Sequence, residues 1–402
     1  MAEHPAEPSA ERPDRSAARA ATAHARISAW LDGRAARGEA ARGLVLTGPA
    51  AVAWATGGIA APVDRTAAVD LAWVVATAGG FSLITTEVEA DRIRAEYGPD
   101  RHGFADLVAV PWFEPDAFVT AAQALAGVPA AELAADGHPA FGRDVTDDLI
   151  ELRLALSPPE QDDLRDLAAD AALALETALG HWRPGERDLD IQARCAALLE
   201  GSGADTPVLI VGGDERLARY RHPMAAGVPV RRLVMAVVVA RRDGLHAAAT
   251  RFASAGPIDP AYAELRGRVL DIERQVLAAS APASGPPPAT YGTVLAALDR
   301  AYEQAGAPRG WTGHYQGGPI GYGQREFEIA PGQPGTRWPD QPIAAGHALA
   351  WNPSLPGGGK TEDTYLVTGD GQLALVTSAP GWPVEPDDGR QPPRPAVLEV
   401  GT

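Results

Sequence analysis

The 402-residue chain has one cysteine, so an internal disulfide is excluded. Cys195 falls in the rhythm Leu189, Ile191, Cys195, Leu198 of an expected helix, where a free thiol packs as a small hydrophobe rather than acting as a nucleophile. Long apolar runs are also missing. Val234 to Ala240 is among the longest and falls far short of the roughly 20 residues that a helix needs to cross a bilayer. Basic residues are in deficit, with 35 Lys plus Arg against 52 Asp plus Glu and a net charge of −17. No basic run interleaved with aromatics offsets this, so nucleic acid is not an expected partner. The opening residues, MAEHPAEPSAERPDRSAARA, lack an uninterrupted apolar segment and carry acids too early for a targeting signal. Residues 1–22 therefore read as a disordered leader, and a cytoplasmic location is expected.

What is present is an apolar fraction of 46%, enough for two cores in a chain of this length. Helical spacing from Ala21 to Ala36 precedes a buried strand, Gly43 to Thr47, and a Gly48-Pro49 turn. Strands are expected at Ala68 to Ala76, Phe81 to Thr86 and Asp106 to Val110, with helices from Glu87 to Glu96 and from Ala117 to Ala126. This makes residues 23–156 a small α/β domain. Ser157-Pro158-Pro159-Glu160 marks a boundary, because the serine can cap a helix, the prolines suit its start and the acids complement its dipole. Beyond it, helices are expected to about Leu179, from Asp188 to Leu199, from Pro260 to Ser280 and from Tyr291 to Gln304. Short strands alternate with them: Val208 to Val211, Arg232 to Val239, Gly244 to Phe252, Ala348 to Asn352 and Thr364 to Val367. Paired helices on an antiparallel or mixed sheet follow for residues 157–390, with a turn-rich Ser284 to Pro288 and a tail at 391–402.

Four stretches carry a family resemblance. Leu44 to Gly58 (LVLTGPAAVAWATGG) resembles the start of the amino-terminal domain of the creatinase, prolidase and Xaa-Pro aminopeptidase superfamily. LRLALSPPEQDDLRDLAADAA resembles the crossing into its catalytic domain, and WTGHYQGGPIGYGQRE and GKTEDTYLV follow in the family's order. The resemblance implies an α/β fold: a small creatinase-type domain followed by a pita-bread α+β domain of the catalytic type.

Metallopeptidases of that family hold two divalent ions with two aspartates, one histidine and two glutamates, anionic oxygen donors that cancel the ions' repulsion while a water is activated. Carried onto this sequence, the resemblance puts those ligand positions at Val237, Ala248, His314, Asn352 and Glu362. Only His314 and Glu362 keep the ligand type, so the site is degenerate and neither a metal pair nor another cofactor is expected, although a single weakly held ion on His314, Glu362 and the Asn352 carbonyl is chemically possible. Asp243 does not substitute, because Asp243-Gly244 has the character of the turn between two strands. Asp214 is a remote second candidate.

Creatinase is the family's metal-free precedent, a homodimer that relies on a histidine as proton carrier. Arg219-Tyr-Arg-His222-Pro-Met resembles the place of that histidine, so the resemblance makes His222 the first candidate acid or base, with His314 and Glu362 as its catalytic partners. Thr250 and Asn352 stand where creatinase has its guanidino-binding glutamates, so creatine is a poor substrate. Tyr322, Arg325 and Glu326 stand where the family has its second histidine and a following glutamate, and are candidate substrate contacts, Arg325 for a carboxylate. Glu362 is expected to face inward and its neighbour Asp363 outward to solvent, since adjacent strand residues face opposite ways.

Three functions compete. The first is a metal-independent enzyme cleaving a C–N bond in a small polar nitrogen-containing metabolite. The second is a metal-dependent Xaa-Pro aminopeptidase-like peptidase with an altered site, and the third a non-catalytic module binding a peptide or metabolite. The resemblance further implies a homodimer in which Trp54, Asp64 and Arg65 belong to the domain that reaches the partner's pocket, with Arg65 a candidate contact and Trp54 more in keeping with core.

Overall fold

The computed structural model of the protein describes residues 14–38, 42–59, 63–282, 289–330, 336–385 and 394–401. The turn-rich Ser284 to Pro288 and residues 1–13 of the expected leader lie outside the described residues. Two compact units divide the chain, Met1–Thr146 and Asp147–Thr402.

In the first unit a six-stranded mixed sheet runs in the order Phe104–Val110, Gly80–Thr86, Ala72–Thr77, Leu44–Leu46, Ala134–Ala135, Arg143–Asp144. Its helices are Ser16–Ala36, Pro49–Thr56 and Ala117–Ala126. The first helix starts earlier than expected: Asp14 accepts hydrogen bonds from the Ser16 amide and hydroxyl, at 2.9 and 2.6 Å, so residues 16–22 are helical rather than leader. The helix expected from Glu87 to Glu96 shrinks to Ala90–Arg92 and a wider turn, Ile93–Tyr97. Gly98, at φ 65°, and Pro99 end it.

The second unit is a pita-bread α+β arrangement. Ser157 caps helix Pro158–Gly180 with a Glu160 carboxylate that accepts from the Ser157 amide and hydroxyl, each at 2.6 Å. Asp259 and Thr290 similarly cap Pro260–Ser280 and Tyr291–Gln304, whose bounds match the sequence expectation. The long antiparallel pair Leu233–Arg242 and Leu245–Ala255 turns at Asp243-Gly244, with φ of 50° and 83°, as its turn residues require. Asp205–Gly213 flanks it on one side, and Leu398–Val400, from the expected tail, adds to the other.

A second sheet, in the order Gly317–Ile320, Ala348–Trp351, Asp363–Val367, Leu373–Leu375, rests on the helix pair 260–280 and 291–304. Val269, Ile272, Tyr291, Leu298, Tyr302, Trp351 and Tyr365 fill that core, and burying its aliphatic members stabilises by about 1.5–3 kcal/mol per side chain. The two sheets are riveted where Thr364 Oγ1 accepts from the Ala248 amide (2.8 Å) and donates to the Ala248 carbonyl (2.9 Å). The Thr250 amide donates to the Glu362 carbonyl at 2.8 Å. That seam sets Glu362 against Thr250. No helix among the described residues is long and apolar enough to cross a membrane.

Candidate active site

Glu362 is the centre of a buried polar cluster. Its Oε2 lies 3.1 Å from the Lys360 ammonium and accepts from the Thr250 hydroxyl at 3.1 Å, while Oε1 accepts from the Asn352 amide at 3.2 Å. Lys360 and Glu362 share one face of an extended segment because side chains two apart point the same way. Asn352 Oδ1 is buried and has no hydrogen-bond partner.

The opposite carboxylate behaves differently from expectation. Asp363 is buried rather than solvated, accepting from Arg251 at 2.8 Å and from Thr377 at 2.7 Å. Arg251 also donates to Glu176 at 3.0 Å, so the outward face of this strand meets a buried ionic network. An unpaired buried carboxylate would be too costly to survive there.

His314 and His222 have ring centroids 6.4 Å apart, and they differ in freedom. His314 is half-buried and its Nδ1 faces the Tyr315 carbonyl at 2.5 Å. A carbonyl only accepts, so Nδ1 carries the proton and Nε2 accepts from the Ser354 hydroxyl, also at 2.5 Å. Arg221 donates to the same Ser354 oxygen. Burial, with the nearby Lys360 and Arg221 cations, pushes the His314 pKa down to about 3. His222 is the more exposed ring, and its pKa is also lowered, first by partial loss of surrounding water and then by Lys360 and Arg221, with Glu362 acting the other way.

Beside these residues a cleft of about 240 Å³ opens between helix Glu215–Arg219 with its continuation to Arg221 and the hairpin Ser354–Leu355/Gly359–Lys360. Leu217, Met235 and Leu355 give it an apolar floor, and Arg219, Arg221, Ser354 and Lys360 line it. The hairpin can approach the helix because Gly358, at φ 93°, carries no Cβ, which would sit 2.9 Å from the Leu217 Cβ.

Other candidates are engaged elsewhere. The Tyr322 hydroxyl donates to the capping Glu160 at 2.8 Å. Glu326 is buried and its Oε2 accepts from Arg153 Nε and a second guanidinium nitrogen at 2.9 and 2.7 Å. Arg325 pairs with Glu328 at 2.6 Å and covers the Tyr315 ring. Asp214 accepts from three successive amides, Arg231, Arg232 and Leu233, and so clamps a loop. In the first unit Trp54 is fully buried, Asp64 closes a turn onto Thr66, and Arg65 is exposed. Cys195 is buried and burial pushes its thiol up to about 12, far from thiolate chemistry.

Lys360, Arg221 and Ser354 escaped the motif reading of the site. One signal was available: Lys360 is the only lysine in the chain and Asn352 the only asparagine, and both touch Glu362. In a chain that otherwise uses arginine for every basic side chain, a lone buried lysine marks a position where a compact ammonium rather than a planar guanidinium is present.

The donor set does not fit a divalent pair. Val237 and Ala248 offer no side-chain donor, the charge of Glu362 is already balanced by Lys360, and both His314 nitrogens are occupied. No group of three or more His, Cys, Asp or Glu among the described residues could hold a metal ion.

Several solved structures share this architecture. The dipeptidase PepE from Mycobacterium ulcerans is 19% identical with a TM-score of 0.70, covering 98% of this chain and 100% of that one. The Xaa-Pro dipeptidase from Bacillus anthracis is 17% identical with a TM-score of 0.66, covering 95% and 100%. The N-terminal domain of the FACT complex subunit SPT16 from Cicer arietinum (chickpea) is 13% identical with a TM-score of 0.63, covering 89% and 96%. At these identities the likeness is one of fold. No curated protein matches the chain. The profile of metallopeptidase family M24 matches residues 162–369, which hold His222, His314, Lys360 and Glu362, and the chain belongs to that family.

Proposed function

We propose that the chain is a metal-independent enzyme that hydrolyses or otherwise cleaves a C–N bond in a small, polar, nitrogen-containing substrate by histidine acid/base chemistry. The observation that carries this reading is Asn352 Oδ1, a buried acceptor without a partner beside the Glu362 carboxylate. An orphaned buried acceptor is costly, and a substrate N–H is the group that relieves it. Glu362 orients the attacking water. His222, the more accessible ring, takes the water's proton and returns it to the leaving nitrogen. His314 accepts a proton only through Ser354, because its other nitrogen is held by the Tyr315 carbonyl.

The mutual support is electrostatic. Lys360 supplies beside Glu362 the positive charge that a metal supplies elsewhere in the family, and it adds to burial in holding both rings neutral, which leaves His222 as the ring that takes the proton. The test is a panel of guanidino, amidino, imino and amide compounds offered to chelator-treated protein. Turnover that persists without metal and falls by about 10²–10⁴ in kcat/KM in His222→Asn supports the reading. Turnover that requires added metal, or that ignores His222→Asn, sinks it. The low basicity of His314 favours a second reading, a binding module without turnover, for which the mark is a bound ligand recovered unchanged after long incubation.

A further inference from the structure

The cleft beside the histidines carries more positive charge than the carboxylates among the described residues pair with. Arg221 is half-buried and, among the described residues, its hydrogen-bonding partner is the Ser354 hydroxyl rather than a carboxylate. Arg219, on the same wall, lies over the Tyr220 ring and likewise has no carboxylate partner among the described residues. Lys360 has one, Glu362, which leaves the lining with more cations than anions. This happens in a chain with a net charge of −17, where buried arginines such as Arg153 and Arg251 are matched to carboxylates. Removing a guanidinium from water without a counter-ion is unfavourable, and burial correspondingly pushes the Arg221 pKa down.

We propose that the cleft between Leu217–Arg221 and the Ser354–Lys360 hairpin binds the oxyanion group, carboxylate or phosphate, of a small ligand, held by the free N–H edge of Arg221 with Lys360 and Arg219 alongside. A guanidinium presents paired donors that match two oxygens of such a group, and the ammonium of Lys360 adds a point charge. The apolar floor of Leu217, Met235 and Leu355 accommodates a short carbon skeleton, and the volume of about 240 Å³ limits the ligand to a small molecule. Bound there, the anion would also screen the two cations that lower the basicity of His222 and His314, so ligand binding and proton acceptance are coupled. The inference rests on the reading of this region as a substrate pocket and names the chemical class that the pocket takes.

The chain's single lysine supplies a site-specific probe. Protein labelled with ¹³C at lysine Cε gives one resonance, from Lys360, which is followed while inorganic phosphate or succinate is added at ionic strength held constant with chloride. The expected result is a saturable shift with at least one of the two anions, weakened at least tenfold in Arg221→Gln and unchanged in Arg183→Gln, an arginine outside the cleft. Saturation by phosphate alone assigns a phosphorylated ligand, and by succinate alone a carboxylate. A linear drift no larger than that caused by chloride for both anions overturns the proposal, as does equal affinity in Arg221→Gln. Circular dichroism verifies that each variant is folded. Because the measurement reads binding without turnover, an inert His222→Asn protein that still shows the saturable shift separates failure of the catalytic reading from failure of this one.

Discussion

Two buried histidines that do not line the cleft give the protein a calculable sensitivity to acid. His246 is buried on strand Leu245–Ala255, with Nδ1 donating to the Gly321 carbonyl at 3.1 Å, and burial lowers its pKa from the ordinary 6.5 to about 4. His347 is buried with Nδ1 facing the Tyr291 hydroxyl at 3.1 Å, and burial brings it to about 4 as well. The sign follows from proton counting: below pH 6.5 the unfolded chain protonates these rings while the native protein does not. Native stability therefore falls as pH drops from about 6.5 toward 4 and levels off below the native pKa. At about 1.4 kcal/mol per pKa unit each ring accounts for a loss of about 3 kcal/mol across that window. The buried carboxylates Glu176, Glu273 and Asp363, whose pKa values burial raises, oppose this trend. Their contribution cancels when wild type is compared with the double variant His246→Asn, His347→Asn, in which an amide occupies each site without titrating. Denaturant midpoints measured at half-unit steps from pH 7 to 4.5 provide the assay. The double variant should lose stability with a slope shallower by up to about 2.7 kcal/mol per pH unit. Parallel pH profiles for the two proteins would refute the argument, whatever the offset between them.

Two further outcomes are expected. Arg251→Met should destabilise the protein by about 3–5 kcal/mol in denaturant melts, because Asp363 and Glu176 remain buried without their shared cation; a loss below 1 kcal/mol would mean that the carboxylates escape to water. Equilibrium dialysis against manganese or zinc, followed by elemental analysis, should leave the protein without stoichiometric metal. Stoichiometric metal lost in both His314→Ala and Glu362→Gln would overturn the charge-balance argument built on Lys360.

Much of the architecture was legible because its signals are local. The Ser157 and Glu160 cap, the Asp243-Gly244 turn and the helices Pro260–Ser280 and Tyr291–Gln304 each depend on residues a few positions apart. That Val237 and Ala248 offer no metal donor was legible too, since a side chain without a donor atom cannot acquire one by folding. What the sequence left open are pairings across long separations. Arg153 reaches Glu326 over 173 positions and Tyr322 reaches Glu160 over 162, which turns two candidate substrate contacts toward structural partners. Asp363 could be placed on the face opposite Glu362, but only the packed interior shows that this face meets Arg251 rather than water. The same holds at the site. Periodicity says that Lys360 and Glu362 share a face, whereas the joining of Arg221, His314 and Ser354 required three separate segments to be brought within hydrogen-bonding distance. Side-chain chemistry is written residue by residue, but the charge that each group finds around it is a property of the folded chain, and that charge decides which groups of this site are neutral, which are paired and which are left to bind a ligand.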